Sequence, residues 1–234
     1  MIMSTIAILC AMDKEIERII FDFGAVCIDE KERIYKAKLQ AHTLVASVCG
    51  IGKVNSAIKT QRLIDLYKPD YVINCGVAGG LDKSLSVLDV VVAAEACYHD
   101  FHPVSLLEED DNLKTSVFKC SPTLVECAVS ACEELLSEGS ISHFVRGRVV
   151  SGDSFVESDE VSRRIREELR GTCVEMEGAA IAQTCIVNGV EFLVLRAISD
   201  FADNSAEMTY DNFSNRAAGQ AVEVLKRLIL KIRA

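Results

Sequence analysis

Five short apolar runs, rich in valine and isoleucine and without polar alternation, constrain this chain most: residues 6–9, 72–74, 87–94, 145–150 and 192–197. A strand that is apolar toward both faces needs cover on both, which is the signature of a sheet buried between helices. Helical spacing fills the gaps. Over Lys53–Tyr67, the residues Val54, Ala57, Ile58, Leu63 and Ile64 fall near one inward stripe, and Pro69 follows as a stop. A second helix is expected over 122–136, with Pro122 in its first turn. Val161, Ile165 and Leu169 repeat every four residues in a third. A fourth, over 211–232, turns Ala218, Val222, Leu225, Ile229 and Ile232 inward and carries basic residues near its C-terminal end.

The stretch 25–47 alternates more cleanly and reads as an antiparallel meander, Arg33-Ile34-Tyr35-Lys36-Ala37 followed by Thr43-Leu44-Val45-Ala46-Ser47. Strand–helix alternation with a meander near the start gives an α/β sandwich around a mixed sheet. At 234 residues, without a linker, repeat or low-complexity tract, one domain over 1–234 is expected. The polar segment 102–119, with Glu108-Glu109-Asp110-Asp111, reads as a long loop, either solvated on the surface or covering a pocket.

Charge narrows the function classes. The 25 basic residues against 35 acidic ones leave −10, which disfavours nucleic acid and anionic membrane surfaces as partners. No apolar run reaches the roughly 18 residues of a membrane span. The ten cysteines form no CxxC, and most lie in apolar runs, where thiols act as small buried hydrophobes. The N-terminus lacks a basic region and a small-residue cleavage site, so a reduced, cytoplasmic chain without disulfides is expected. His99 and His102 stand three apart with no partnered cysteine pattern, and no metal is expected.

Two glycine loops tempt a phosphate reading. Gly50-Ile51-Gly52-Lys53-Val54 fails it, because Ser47 stands where a Walker loop needs glycine and Val54 where it needs Ser or Thr. It reads instead as a strand end turning tightly into the helix that Lys53 begins. Gly76-Val77-Ala78-Gly79-Gly80 is not GxGxxG; following a strand that ends at Cys75, it lets a ligand approach the backbone. The acids say more, since a carboxylate in apolar surroundings is costly and needs a reason. Glu15, Glu175, Glu177 and Asp200 all stand just past strand ends, where open α/β sheets build their sites. Each also suits a helix cap.

Taken together, the strings ILCAMDKEI (8–16), CGIGKVNSA (49–57), NCGVAGGL (74–81), YHD (98–100), VVSGDSF (149–155), CVEMEGAAIA (173–182) and RAISDFAD (196–203) resemble the 5′-methylthioadenosine/S-adenosylhomocysteine nucleosidases of the nucleoside phosphorylase/hydrolase superfamily. The resemblance implies a three-layer α/β/α sandwich whose mixed sheet is partly barrel-like. It also implies hydrolysis of a purine–ribose bond without cofactor or metal. By resemblance, Asp200 protonates the purine at N7, Glu15 activates water, and Glu177 holds the ribose hydroxyls and supports the positive sugar. Phe155 stacks on adenine, the Val156 backbone reads its edge, and Met176 packs on the ribose. Ala78 and Gly79 bring backbone close, Glu175 and Ser199 support the shell, and Met12, Ile51 and Tyr210 line the alkylthio end. A homodimer is implied, with partner residues completing that end.

Some positions depart from the family pattern. Val77 stands where serine is frequent, Cys10 where glycine often precedes Ala-Met, and Phe101-His102-Pro103 replaces the usual second aspartate and its following stretch. A phosphorylase on this fold would need arginines at the glycine loops, which carry Met12-Asp13-Lys14-Glu15 and Val77-Ala78-Gly79-Gly80 instead. A non-catalytic binding protein would be expected to lack one of the three acids. A hydrolase of a futalosine-type nucleoside shares the base chemistry and stays open.

Overall fold

A computed structural model describes residues 4–39 and 41–233. Residues 1–3, Gln40 and Ala234, which belong to the expected domain and in part to the expected meander, lie outside them. In chain order the elements are β1 (Ser4–Cys10), α1 (Asp13–Phe23), β2 (Val26–Asp29), β3 (Ile34–Leu39), β4 (His42–Val48), α2 (Lys53–Tyr67), β5 (Tyr71–Gly80), β6 (Val90–Tyr98), α3 (Ser105–Glu109), β7 (Phe118–Lys119), α4 (Pro122–Ser137), β8 (Phe144–Ser151), α5 (Asp159–Leu169), β9 (Cys173–Glu175), α6 (Gly178–Asn188), β10 (Glu191–Asp200) and α7 (Ala206–Lys231).

All the strands join one mixed sheet in the order β10-β6-β8-β9-β5-β1-β4-β3-β2, with β7 on β6. A further pairing of β10 with β5 closes five of them into a ring, the partial barrel. β5 makes this possible by being long: β10 runs parallel along one edge, while β1 and then β9 share the other. The expected meander forms β2-β3-β4 at the open end. Helices α1, α4 and α7 pack together on the sheet, and α2 and α6 form a second group, which gives the three layers. Among the described residues, no helix is long and apolar enough to cross a membrane.

Several expected boundaries move for physical reasons. The strand read at 87–94 starts at Val90 and runs to Tyr98, because Leu88 adopts a φ of 76° and Asp89 Oδ2 accepts the Ser86 amide at 2.7 Å, closing a turn. Gly76–Gly80, read as a loop after a strand ending at Cys75, belongs to β5, whose pairing with β10 and β9 continues through it. Helix α1 does not stand out from the sequence, and α7 begins at Ala206 rather than 211. Segment 102–119 contains α3 and β7 and buries Leu107, Leu113 and Phe118, so it is only partly a solvated loop.

The α2 stripe splits. Leu63 and Ile64 face the core with Ser56 and Thr60, but Val54 and Ile58 are 68% and 62% exposed and point outward. All ten cysteines are unpaired, and all but Cys27 and Cys127 are buried. Burial pushes the thiols of the buried ones upward, Cys75 and Cys132 to about 12.

Candidate active site

The C-terminal ends of β1, β5, β9 and β10 converge on a cavity of about 420 Å³. Glu15 enters it from the first turn of α1. Its Oε2 accepts the amides of Ala11 and Met12 at 2.8 and 3.0 Å, and its Oε1 accepts that of Val77 at 3.1 Å. The side chain therefore caps its helix and faces the cavity at once. Burial raises its pKa, opposed by Arg196 and the three amides.

Glu175 and Glu177 divide the work that either could do at the start of α6. Glu175 takes the capping: it accepts the Glu177 amide at 3.0 Å and the Gly178 amide at 2.8 Å, and it pairs with Ser151 Oγ and with Arg196. Glu177 is left free to reach away from its own helix, where Oε1 accepts the Gly52 amide at 2.9 Å. Burial raises Glu177 to about 8, helped by the charge of Glu175 and opposed by Arg196.

Arg196 lies fully buried in β10. Its Nη2 bonds Asn74 and Glu175 and sits 3.6 Å from Glu177 Oε2. Burial would lower its pKa, but the facing carboxylates Glu175, Glu177 and Glu15 more than offset this and hold it charged. Gly76 makes room for the cluster. A Cβ there would lie 2.2 Å from Arg196 Nη1 and 2.5 Å from Glu15 Oε1.

Asp200 stands apart from this network. A register slip between Ile198 and Asp200 in the β10–β5 ladder turns the end of the strand toward Gly79, whose missing Cβ would lie 2.8 Å from Asp200 Oδ1. Oδ1 accepts the Ala202 amide at 2.9 Å, and Oδ2 lies 2.8 Å from Ser199 Oγ. Among the described residues no cation pairs with it, and burial raises its pKa. The Ser199 hydroxyl has one proton and two oxygen neighbours, Asp200 Oδ2 and Ala78 O at 3.3 Å. The shorter contact is the one to Asp200, and there the hydroxyl, like the Ala202 amide, opposes the rise that burial causes without reversing it.

The other end of the cavity is apolar. Tyr210 Oη donates to Met12 Sδ at 3.3 Å, and the Phe155 and Tyr210 rings meet edge to face at 5.7 Å, with Ile51 beside them. Met176, Ala78, Gly79 and Ser199 line the remaining wall. Every site residue expected from the sequence is thus brought together except Val156. Its side chain turns behind the wall into a small cluster with Leu81, Val150 and Val174. Ala11, Val77 and Val174 also line the cavity. Arg196 was missed, although a single arginine inside an apolar run is the same signal that singled out the acids. Segment 102–119 contributes nothing to the lining, and no metal-binding cluster occurs among the described residues.

This geometry has known counterparts. The family model for the phosphorylase superfamily matches residues 5–230. A 5′-methylthioadenosine/S-adenosylhomocysteine nucleosidase of Staphylococcus epidermidis is 34% identical over 230 residues, covering 96% of this chain and 98% of that one. The structure of the Neisseria meningitidis nucleosidase of the same name, in complex with methylthio-immucillin-A, superposes with a TM-score of 0.89 at 32% identity over 98% of this chain and 100% of that one. A futalosine hydrolase of Helicobacter pylori follows with a TM-score of 0.85 at 31% identity, over 98% of both chains.

Proposed function

The chain belongs to the phosphorylase superfamily and, within it, to the 5′-methylthioadenosine/S-adenosylhomocysteine nucleosidases, and from that premise we propose that it hydrolyses the N-ribosidic bond of these adenine nucleosides. The products are adenine and the 5-thioribose sugar. One observation carries the reading: three buried carboxylates, Glu177 beside the Arg196 guanidinium, Glu15 within its field and Asp200 with no cation partner among the described residues, face a single cavity.

Asp200 starts protonated and gives its proton to N7 as electrons move onto the base, and the N9–C1′ bond breaks. Glu15, held toward its anionic form by three amides and Arg196, takes a proton from the water whose oxygen bonds C1′. Glu177, drawn toward its anionic form by Arg196 and the Gly52 amide and further by the positive charge that develops on the sugar, accepts from the ribose hydroxyls and lowers the energy of the oxocarbenium-like sugar. Phe155 covers one face of the base, and Met176 packs on the ribose. The Val156 backbone reads the adenine edge, and Met12, Ile51 and Tyr210 enclose the alkylthio group. The whole chain acts as one catalytic domain, without cofactor.

Water rather than phosphate is the nucleophile, because Arg196 is committed to Glu175 and Asn74 and the anionic Glu15 repels phosphate. Adenine release with and without inorganic phosphate tests this: a free reducing sugar in its absence is expected, and a phosphate requirement sinks the reading. The futalosine hydrolase likeness favours one alternative substrate, and parallel assays on futalosine-type nucleosides decide it.

The enzyme works as a homodimer. Val54, Ile58 and Val187 are exposed on α2 and α6, which pack together, and Ile51 of the cavity lining stands two residues before α2. A second copy seated there would complete the 5′ end. Ten unpaired thiols suit the reducing cytoplasm, and there the reaction serves methionine salvage.

A further inference from the structure

Three segments whose motifs the nucleoside shell does not use up meet at one corner of the cavity mouth. Lys53 Nζ, on the first residue of α2, donates to both Asp100 carboxylate oxygens at 2.7 Å and lies 3.6 Å from Asp153 Oδ2. The backbones interlock in the same place. The Asp153 amide donates to Asp100 Oδ2 at 2.9 Å, and the Lys53 amide donates to Asp153 Oδ1 at 2.8 Å. Below, the His99 amide donates to Ser151 O at 2.9 Å and the Gly152 amide to Glu175 O at 3.1 Å. A Cβ on Gly152 would lie 2.3 Å from His99 Nε2, a buried atom without a partner, so the root of the loop is packed as tightly as backbone allows. Burial would raise Asp100, but Lys53 and the Asp153 amide outweigh it and hold the carboxyl below its ordinary range.

Two connections tie this corner to the site. The turn that gives its Lys53 amide to Asp153 gives its Gly52 amide to Glu177 Oε1 at 2.9 Å, and Gly52 holds a φ of 93° to do so. Two residues beyond Asp153 comes Phe155, which is 45% exposed and whose ring meets Tyr210 only edge-on. A ring with so little core behind it is held by its loop. Partly exposed ion pairs contribute little stability, so what the cluster supplies is geometry.

We infer that Lys53, Asp100 and Asp153 are positioning residues, a clamp that fixes the Phe155 loop to the same turn that holds Glu177 and so sets the spacing between the base-covering ring and the ribose carboxylate. This rests on the nucleosidase reading for the roles of Phe155 and Glu177. Steady-state adenine release from 5′-methylthioadenosine tests it. Asp153→Ala is expected to raise KM about tenfold with kcat within about threefold, since the clamp serves binding in ground and transition states alike. Asp153→Asn, whose amide oxygen still accepts from the Lys53 amide, is expected to fall between Asp153→Ala and the wild type. An unchanged KM in Asp153→Ala, a fall in kcat alone, or an Asp153→Asn no better than Asp153→Ala overturns the clamp while leaving the nucleosidase reading intact. A wild type that releases no adenine overturns both.

Discussion

Asp200 and Glu15 are both buried acids with raised pKa values, yet the proposed mechanism uses them in opposite protonation states, and their surroundings differ accordingly. Glu15 receives three amides and faces a guanidinium; Asp200 receives one amide and a hydroxyl whose proton has another acceptor. Asp200→Asn is therefore expected to lower kcat by about 10²–10⁴-fold, the usual worth of a general acid, while an immucillin-type inhibitor still binds by calorimetry. The pH profile carries the sign: kcat should fall as pH rises through the raised pKa of Asp200, and the limb should vanish in Asp200→Asn. Arg196→Met leaves three buried carboxylates without their cation, at a cost of about 3–5 kcal/mol in denaturant unfolding. The acids were legible because charge inside apolar sequence needs a reason. Arg196 obeyed the same rule. What the sequence did not disclose was its partners, since contacts between Arg196, Asn74 and Glu175 depend on three strands meeting.

Elements were legible where stop and start signals bounded them, Pro69 after α2 and Pro122 opening α4, and less so where tertiary pairing overrode local signals. The glycine run of β5 looks like a turn, but those glycines are there for room. Gly76 sits in extended backbone with Arg196 and Glu15 against it. Gly76→Ala is thus expected to displace both side chains and to lower kcat more than it lowers the unfolding free energy, a loss of about 1–3 kcal/mol from overpacking, with chemical denaturation and turnover measured side by side. Helix α4 offers a simpler case. Ser121 caps it by accepting the Leu124 amide, with Pro122 following, so Ser121→Ala is expected to cost about 1 kcal/mol in urea without changing kcat. Helix α1 escaped notice because its first turn, Asp13-Lys14-Glu15, reads as an interruption until Glu15 is seen closing it.

At the scale of the whole molecule, the alternation of buried strands and helices was enough for the layers and the meander, but closure of the sheet was not readable. It depends on β5 being ten residues long, five of them past Cys75. The outward-facing Val54 and Ile58 look like core positions by spacing alone, and their exposure is what the dimer reading uses. Ile58→Glu is expected to halve the sedimentation mass. Stability should also track pH: Glu177, raised from 4.5 to about 8, keeps its proton in the folded state longer than in the unfolded chain. Stability from this group therefore falls as pH rises across that window, and Glu177→Gln should flatten the thermal midpoint against pH. The ring of strands has a last consequence, in time rather than space. β5 and β10 have neighbours along both edges, so neither frays, whereas β2 is an exposed outer strand. Amide hydrogens of 72–79 and 192–198 should exchange with solvent only when the entire chain opens, long after those of 26–29. Arg196 and Asp200 ride on that slowest layer, so these two side chains should keep their places until the entire chain opens.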